Sequence, residues 1–239
     1  MGAFTTTKLF MEGYRIMPRE TLDRRIHHIQ EEILLLGSMV EQAMLNSVEA
    51  LKRRDVEASK QIYEDDYLIN EKRFAIENAI LIIIATQQPI AHDLRLLAAM
   101  LEVITELERM GDYAKGIAKV TIKLADSDIS IPIREINRMC ELSVSMLHRA
   151  LSAFVSENPK EASKIPEEDQ SVDELYNTIY RNLVSTMIAN PNSIDHANLL
   201  MWVAHNLERT ADRVTNICER TVFIATGEVL EMDTSDDEV

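Results

Sequence analysis

Glycine and proline are scarce, six of each in 239 residues. Together they make about 5% of the chain, less than half the usual share. β-Sandwiches and barrels need far more turn punctuation, so all-β folds are excluded. Aromatic residues are only 5%. The two cysteines, Cys140 and Cys218, stand far apart with no CxxC or Cys/His spacing. That excludes a disulfide framework and a zinc finger, and it predicts two core thiols in a reducing compartment. The longest apolar run, Ala79 to Ala85, is too short to cross a bilayer. No basic stretch followed by an apolar core opens the chain, so a cytoplasmic protein is expected. Positive charge is also in deficit: 25 Lys and Arg against 40 Asp and Glu, a net of −15. Phosphate backbones repel such a chain, which excludes nucleic acid as the main partner. HExxH, GxSxG, ExxH and Gly-rich phosphate loops are all missing, so no enzyme is expected.

What remains is rich in Ala, Leu, Glu, Ile, Met and Asn, a composition that favours helix throughout. Ile26, Ile29, Ile33, Leu36, Val40, Met44 and Val48 recur every three or four residues, which marks one buried helix face. Pro89, Pro132, Pro159 and Pro191 stand before helix-patterned stretches, with Asn158 and Asn190 as caps for two of them. Pro18 to Pro89 is too long for one globular helix, so a reversal is predicted at Arg53-Arg54-Asp55, with Asp55 capping the next helix. Six segments result: 20–53, 56–86, 90–126, 132–157, 160–189 and 191–226. Pro166 predicts a kink, or a short helix before Glu167-Glu168-Asp169 opens a fresh first turn. Residues 1–17 read as an irregular leader and 228–239 as a solvated acidic tail.

The chain repeats itself. Shifted by 100 residues, Val103, Leu107, Glu108, Arg109, Asp112, Ile117, Thr121 and Ala125 fall on Val203, Leu207, Glu208, Arg209, Asp212, Ile217, Thr221 and Ala225. Asp66, Ile69, Asn70 and Glu71 are echoed by Asp169, Val172, Asp173 and Glu174. The predicted fold is all-α: two tandem three-helix bundles, 18–126 and 131–227, related by an internal repeat.

The repeat carries the acids. Glu108 and Asp112 are four apart, as are Glu208 and Asp212, and Asp66/Asn70 and Asp169/Asp173 keep the same spacing. Four residues bring side chains onto one helix face, where like charges repel unless something positive intervenes. Such oxygens suit a hard cation, or Arg109 and Arg209 as internal ion pairs. Chance alone gives about seven acid pairs at this spacing, so any one pair is ordinary and only the duplication is informative. Of the histidines, only His205, one turn before Glu208, can join such a stripe.

Gln87-Gln88-Pro89-Ile90-Ala91-His92-Asp93-Leu94-Arg95, then Leu107-Glu108-Arg109-Met110-Gly111-Asp112, and Asn206-Leu207-Glu208-Arg209-Thr210-Ala211-Asp212-Arg213 resemble the PhoU family over nearly all of residues 18–227. The resemblance implies two three-helix bundles, often as a homodimer, in a cytoplasmic regulator of bacterial phosphate uptake. Its implied partners are the high-affinity phosphate ABC transporter ATPase and a phosphate-sensing histidine kinase, with the membrane reached only through them. It implies negative regulation when phosphate is ample, and metal ions (iron, Mg, Mn or Zn) on Glu108, Asp112, Glu208, Asp212, Asp66, Asp169 and Asp173. Asn70 stands where the family pattern has an acid, which implies weaker metal binding in the first half. Two other readings stay open: a metal-cluster storage or redox protein, and a metal-free helical scaffold whose acids only face water.

Overall fold

A computed structural model describes residues 18–232. The leader 1–17 and the last seven residues of the acidic tail lie outside the described residues. Among the described residues seven α-helices follow one another: α1 (Pro18–Arg53), α2 (Val56–Gln87), α3 (His92–Lys123), α4 (Ile133–Val155), α5 (Pro159–Ala162), α6 (Asp169–Ala189) and α7 (Ile194–Thr226). Two 3-10 turns, Ile165–Glu168 and Pro191–Ser193, precede α6 and α7. No strand occurs among the described residues. The architecture is the expected one, two tandem helical bundles built on a repeat.

The reversal after α1 forms for the predicted reason. Asp55 Oδ1 accepts the Ala58 amide at 2.9 Å, satisfying one of the orphan donors at the start of α2. The second half repeats the turn, with Asn158 accepting the Glu161 amide at 3.2 Å. The closures agree bond by bond. Arg54 and Asp55 amides reach the Leu51 and Ala50 carbonyls, and Glu157 and Asn158 amides reach Phe154 and Ala153. Arg54 and Glu157 both take positive φ, 53° and 49°. The first two helices of each half therefore correspond at an offset of 103, and α3 and α7 at 100. Burial follows that register: Ile33, Leu36, Val40, Met44, Val48 and Leu51 recur as Ile136, Met139, Ser143, Leu147, Leu151 and Phe154, all buried.

The two halves share one hydrophobic core. α3 packs on α7 and α1 packs on α4. Two glycines allow these approaches. A Cβ on Gly37 would lie 2.2 Å from Leu151 Cδ1, and one on Gly116 would lie 2.1 Å from Trp202 Cη2. Arg54 ties the first turn to the linker between halves by donating to the Leu124 and Ile129 carbonyls at 2.7 and 2.5 Å.

Two details depart from the expected pattern, and a third takes one of its two expected forms. Pro89 does not open α3. Gln88 takes the left-handed region and Ala91 has φ 46° and ψ −114°, so the helix starts only at His92. Pro166 gives the second of its two expected forms, a short helix ahead of a fresh start. It sits in a 3-10 turn that separates the one-turn α5 from α6, because proline offers no amide for a continuous ladder. The described part of the tail is not wholly solvated, since the Met232 amide donates to Glu219 Oε1 at 2.8 Å and Met232 packs on the core.

Candidate functional site

The middle helix α2 presents Asp66 toward α3, where a Glu/Asp pair stands, and Asp169 holds the matching place on α6. Both aspartates are buried. In the first half, Lys115 on α3 donates to Asp66 Oδ2 at 2.6 Å. The Asn70 carboxamide donates to the same oxygen at 3.1 Å. Asn70 thus supplies a neutral donor where an acid would have added charge. Arg109 lies 3.7 Å from Glu108 and 3.6 Å from Asp112, so it neutralises that pair as its spacing suggested. The Glu108 carboxyl is pushed above the usual carboxylate range, first by burial and then by the Asp112 and Asp66 charges, while Arg109 and Arg73 pull it back. These acids share one electrostatic neighbourhood. The hydrogen bond to Asp66 holds Lys115 above the usual lysine range.

The second half keeps the carboxylates and changes the cations. Asp169 and Glu208 are buried, and Asp173 and Asp212 are half-buried. His205 Nδ1 stands 3.1 Å from Glu208 Oε2, so this histidine does join the stripe. Where α3 has Lys115, α7 has Thr215, a buried residue whose hydroxyl has no hydrogen-bond partner among the described residues. Arg209, like Arg109, feels the charge of the aspartate three residues on, Asp212, and it has a second partner. It donates to the Tyr113 hydroxyl at 3.4 Å across the α3–α7 seam. The lysine-to-threonine exchange is visible in the sequence at the 100-residue offset, but only a distance shows what the lysine does.

The donors are carboxylates with one imidazole, which suits a hard or borderline cation and gives little discrimination among Mg, Mn, iron and zinc. Among the described residues no three His, Cys, Asp or Glu side chains stand close enough to hold a metal. A cation here would require the acids to turn toward one another.

The QQPIAHDLR stretch acts largely on the fold. Asp93 is buried and accepts from Nη1 and Nη2 of Arg19 at 2.5 and 3.0 Å, which fastens the start of α1 to α3. His92 Nε2 stands 2.6 Å from Glu157 Oε2, linking the first half to the second. Neither contact could be read from spacing, because each joins residues 65 or more apart in sequence. Burial pushes the Cys140 and Cys218 thiols up to about 12, so both are inert core residues. No helix among the described residues is long and apolar enough to cross a membrane.

The PhoU domain profile matches this chain twice, over residues 33–121 and 136–221. The phosphate-specific transport system accessory protein PhoU homolog of Clostridium acetobutylicum is 32% identical over 218 residues, which is 91% of this chain and 100% of that protein. The Caulobacter vibrioides homolog is 35% identical over 204 residues, 85% of this chain and 89% of that protein. The crystal structure of the phosphate transport system regulatory protein PhoU from Streptococcus pneumoniae superposes with a TM-score of 0.82 at 30% identity, covering 88% of this chain and all of that one. The chain belongs to the PhoU family, and its role lies in regulation of phosphate transport.

Proposed function

We propose that the chain is a non-enzymatic negative regulator that restrains high-affinity phosphate uptake when phosphate is ample. It acts in the cytoplasm on the ABC transporter ATPase and the phosphate-sensing histidine kinase, as a homodimer that meets the membrane only through these partners. The observation that supports this reading is the double family match, together with relatives matched over 89% or more of their length whose names assign them to phosphate-specific transport. Switching requires two states of the protein with different partner affinities. Affinity co-purification from membranes of a bacterium carrying the transporter tests it. The ATPase and the kinase should both be retained at high phosphate, and retention of neither rejects the partner assignment.

The acids supply a second element. Asp169, Asp173, Glu208 and Asp212 hold a divalent or trivalent metal, and Asp66, Glu108 and Asp112 hold one more weakly, because Lys115 already serves Asp66 as a cation. When bound, the metal would neutralise the paired carboxylates and stiffen the α6–α7 face. Elemental analysis of native-purified protein, repeated on Glu208→Gln with Asp212→Asn, reads this directly. Equal metal in both samples, or metal in neither, contradicts it. Oxygen consumption by the metal-loaded protein would favour the storage or redox reading instead.

A further inference from the structure

A groove of about 360 Å³ runs between α1 and α2 of the first half, within the range of about 300–1,000 Å³ typical of binding sites. Met39, Ala43 and Asn46 of α1 line it on one side and Ile62 and Asp65 of α2 on the other, with Gly111 and Lys115 at its floor. The groove continues past Asn46, Ile62 and Asp65 toward Arg53 and Asp55 at the α1–α2 turn.

The second half shows what such a groove takes. At the offset of 103, Ala43 becomes Met146, which is fully buried, and Asn46 becomes Arg149. Asp65 becomes Glu168, and Arg149 grips Glu168 with two hydrogen bonds of 2.7 and 2.6 Å. Gly111 becomes Ala211, also buried. Ile62, half-buried beside the groove, becomes Ile165, fully buried once Pro166 breaks the helix and lets that turn fold inward. One half therefore fills the space with its own long apolar chain and its own guanidinium. The other leaves small side chains there and an exposed Asp65 that accepts a hydrogen bond from its own-helix neighbour, Gln61, at 2.8 Å.

We propose that the first-half groove receives a segment of a partner protein that carries an arginine beside a long apolar side chain. The guanidinium closes on Asp65 in a bidentate pair, and the apolar chain enters over Ala43 and against Ile62 and Met39. Charge complementarity supports this occupant: Asp65, Asp66, Glu49 and Asp55 face Lys115 and Arg53 along the groove, which leaves it net acidic. Bidentate carboxylate recognition specifies arginine over lysine. The assignment rests on reading the chain as an accessory protein that works through partners, and it adds the surface and the chemistry of one such contact.

The test uses the full chain, isotope-labelled for amide NMR, and an alanine-based helical peptide bearing one Met and one Arg a single turn apart. Shifts at Ala43, Asn46, Ile62 and Asp65 are expected, with at least a tenfold loss of affinity when Glu replaces the peptide's Arg. Ala43→Met with Asn46→Arg fills the groove from within, so it should melt at a higher temperature and lose the peptide. Should that variant not fold, Asp65→Asn keeps the shape and should still abolish the discrimination between Arg and Glu peptides. Shifts elsewhere only, equal response to both peptides, undiminished binding by the filled variant, or no shifts at millimolar peptide would each overturn the proposal. In cells, a filled variant that loses phosphate control while wild type restores it ties the groove to regulation. A filled variant that loses the peptide yet keeps full control cuts that tie. Wild type that fails to restore control sinks the regulatory reading, while the NMR result still decides the groove.

Discussion

Arg213 Nε donates to the Tyr113 hydroxyl at 2.8 Å, and its guanidinium lies 5.5 Å from the centre of the Tyr113 ring. The two residues occupy the same position of the two halves, 100 apart, and meet where α3 crosses α7. Arg213 also bonds Glu106 at 2.7 Å, and Arg220 bonds Glu102 at the same distance farther along the seam. The duplicated helices thus face each other, but their contact residues have diverged into complementary pairs. Tyr113→Phe should cost about 1 kcal/mol, and Arg213→Ala about 1–3 kcal/mol because a half-buried Glu106 loses its partner. Urea unfolding of both single variants and the double variant should show a coupling of about 0.5–3 kcal/mol. Strict additivity would mean the two side chains do not act together.

Gly116 fits against the edge of Trp202, the protein's one tryptophan. Gly116→Ala should push that indole outward at a cost of about 1–3 kcal/mol. Its fluorescence maximum should move to longer wavelength. An unchanged spectrum and an unchanged melting temperature together would refute the close approach.

Lys115 serves the first half as an internal cation. Lys115→Ala leaves the buried Asp66 carboxylate without its ammonium, and a loss of about 2–4 kcal/mol is expected, toward the lower side because the lysine is partly exposed. The converse change, Thr215→Lys, should place an ammonium beside Asp169 and reduce any stabilisation of the second half by added divalent metal. Thermal melts with Mg²⁺ or Mn²⁺ and with chelator read both. Equal metal response in wild type and Thr215→Lys would refute the equivalence of the two positions.

The thiols set a pH trend. Folded Cys140 and Cys218 are raised to about 12, above the unfolded value of about 8.5. The native state therefore holds these protons more tightly, and their contribution is fully present below pH about 8.5 and falls as pH rises toward 12. A thiol reagent at pH 8 should label neither cysteine in the native state and both after unfolding. Stability measured at pH 7 and 9.5 should fall less in Cys140→Ala with Cys218→Ala than in wild type.

Much of the fold was legible because it rests on local chemistry. Asp55 and Asn158 cap helices wherever they stand, and the apolar stripe from Ile26 to Val48 has only one face to bury. The repeat could be found because Glu108, Arg109 and Asp112 recur without a gap. The site was harder to read, because its logic lies between helices. Nothing in the spacing of Lys115 says that it reaches Asp66 across 49 positions, or in that of Arg209 that it also bonds Tyr113. Pro166 announced a break, but its consequence, the burial of Ile165 against the bundle, depends on what surrounds it.

The central claim is that the chain restrains phosphate uptake when phosphate is plentiful. The most direct measurement is the initial rate of radiolabelled phosphate uptake at high external phosphate, in a bacterium deprived of this protein, with and without a plasmid that returns it. The account predicts elevated uptake without the chain and a return to the low rate with it. Uptake that is low in both strains, or that stays elevated when the folded protein is present, would contradict it.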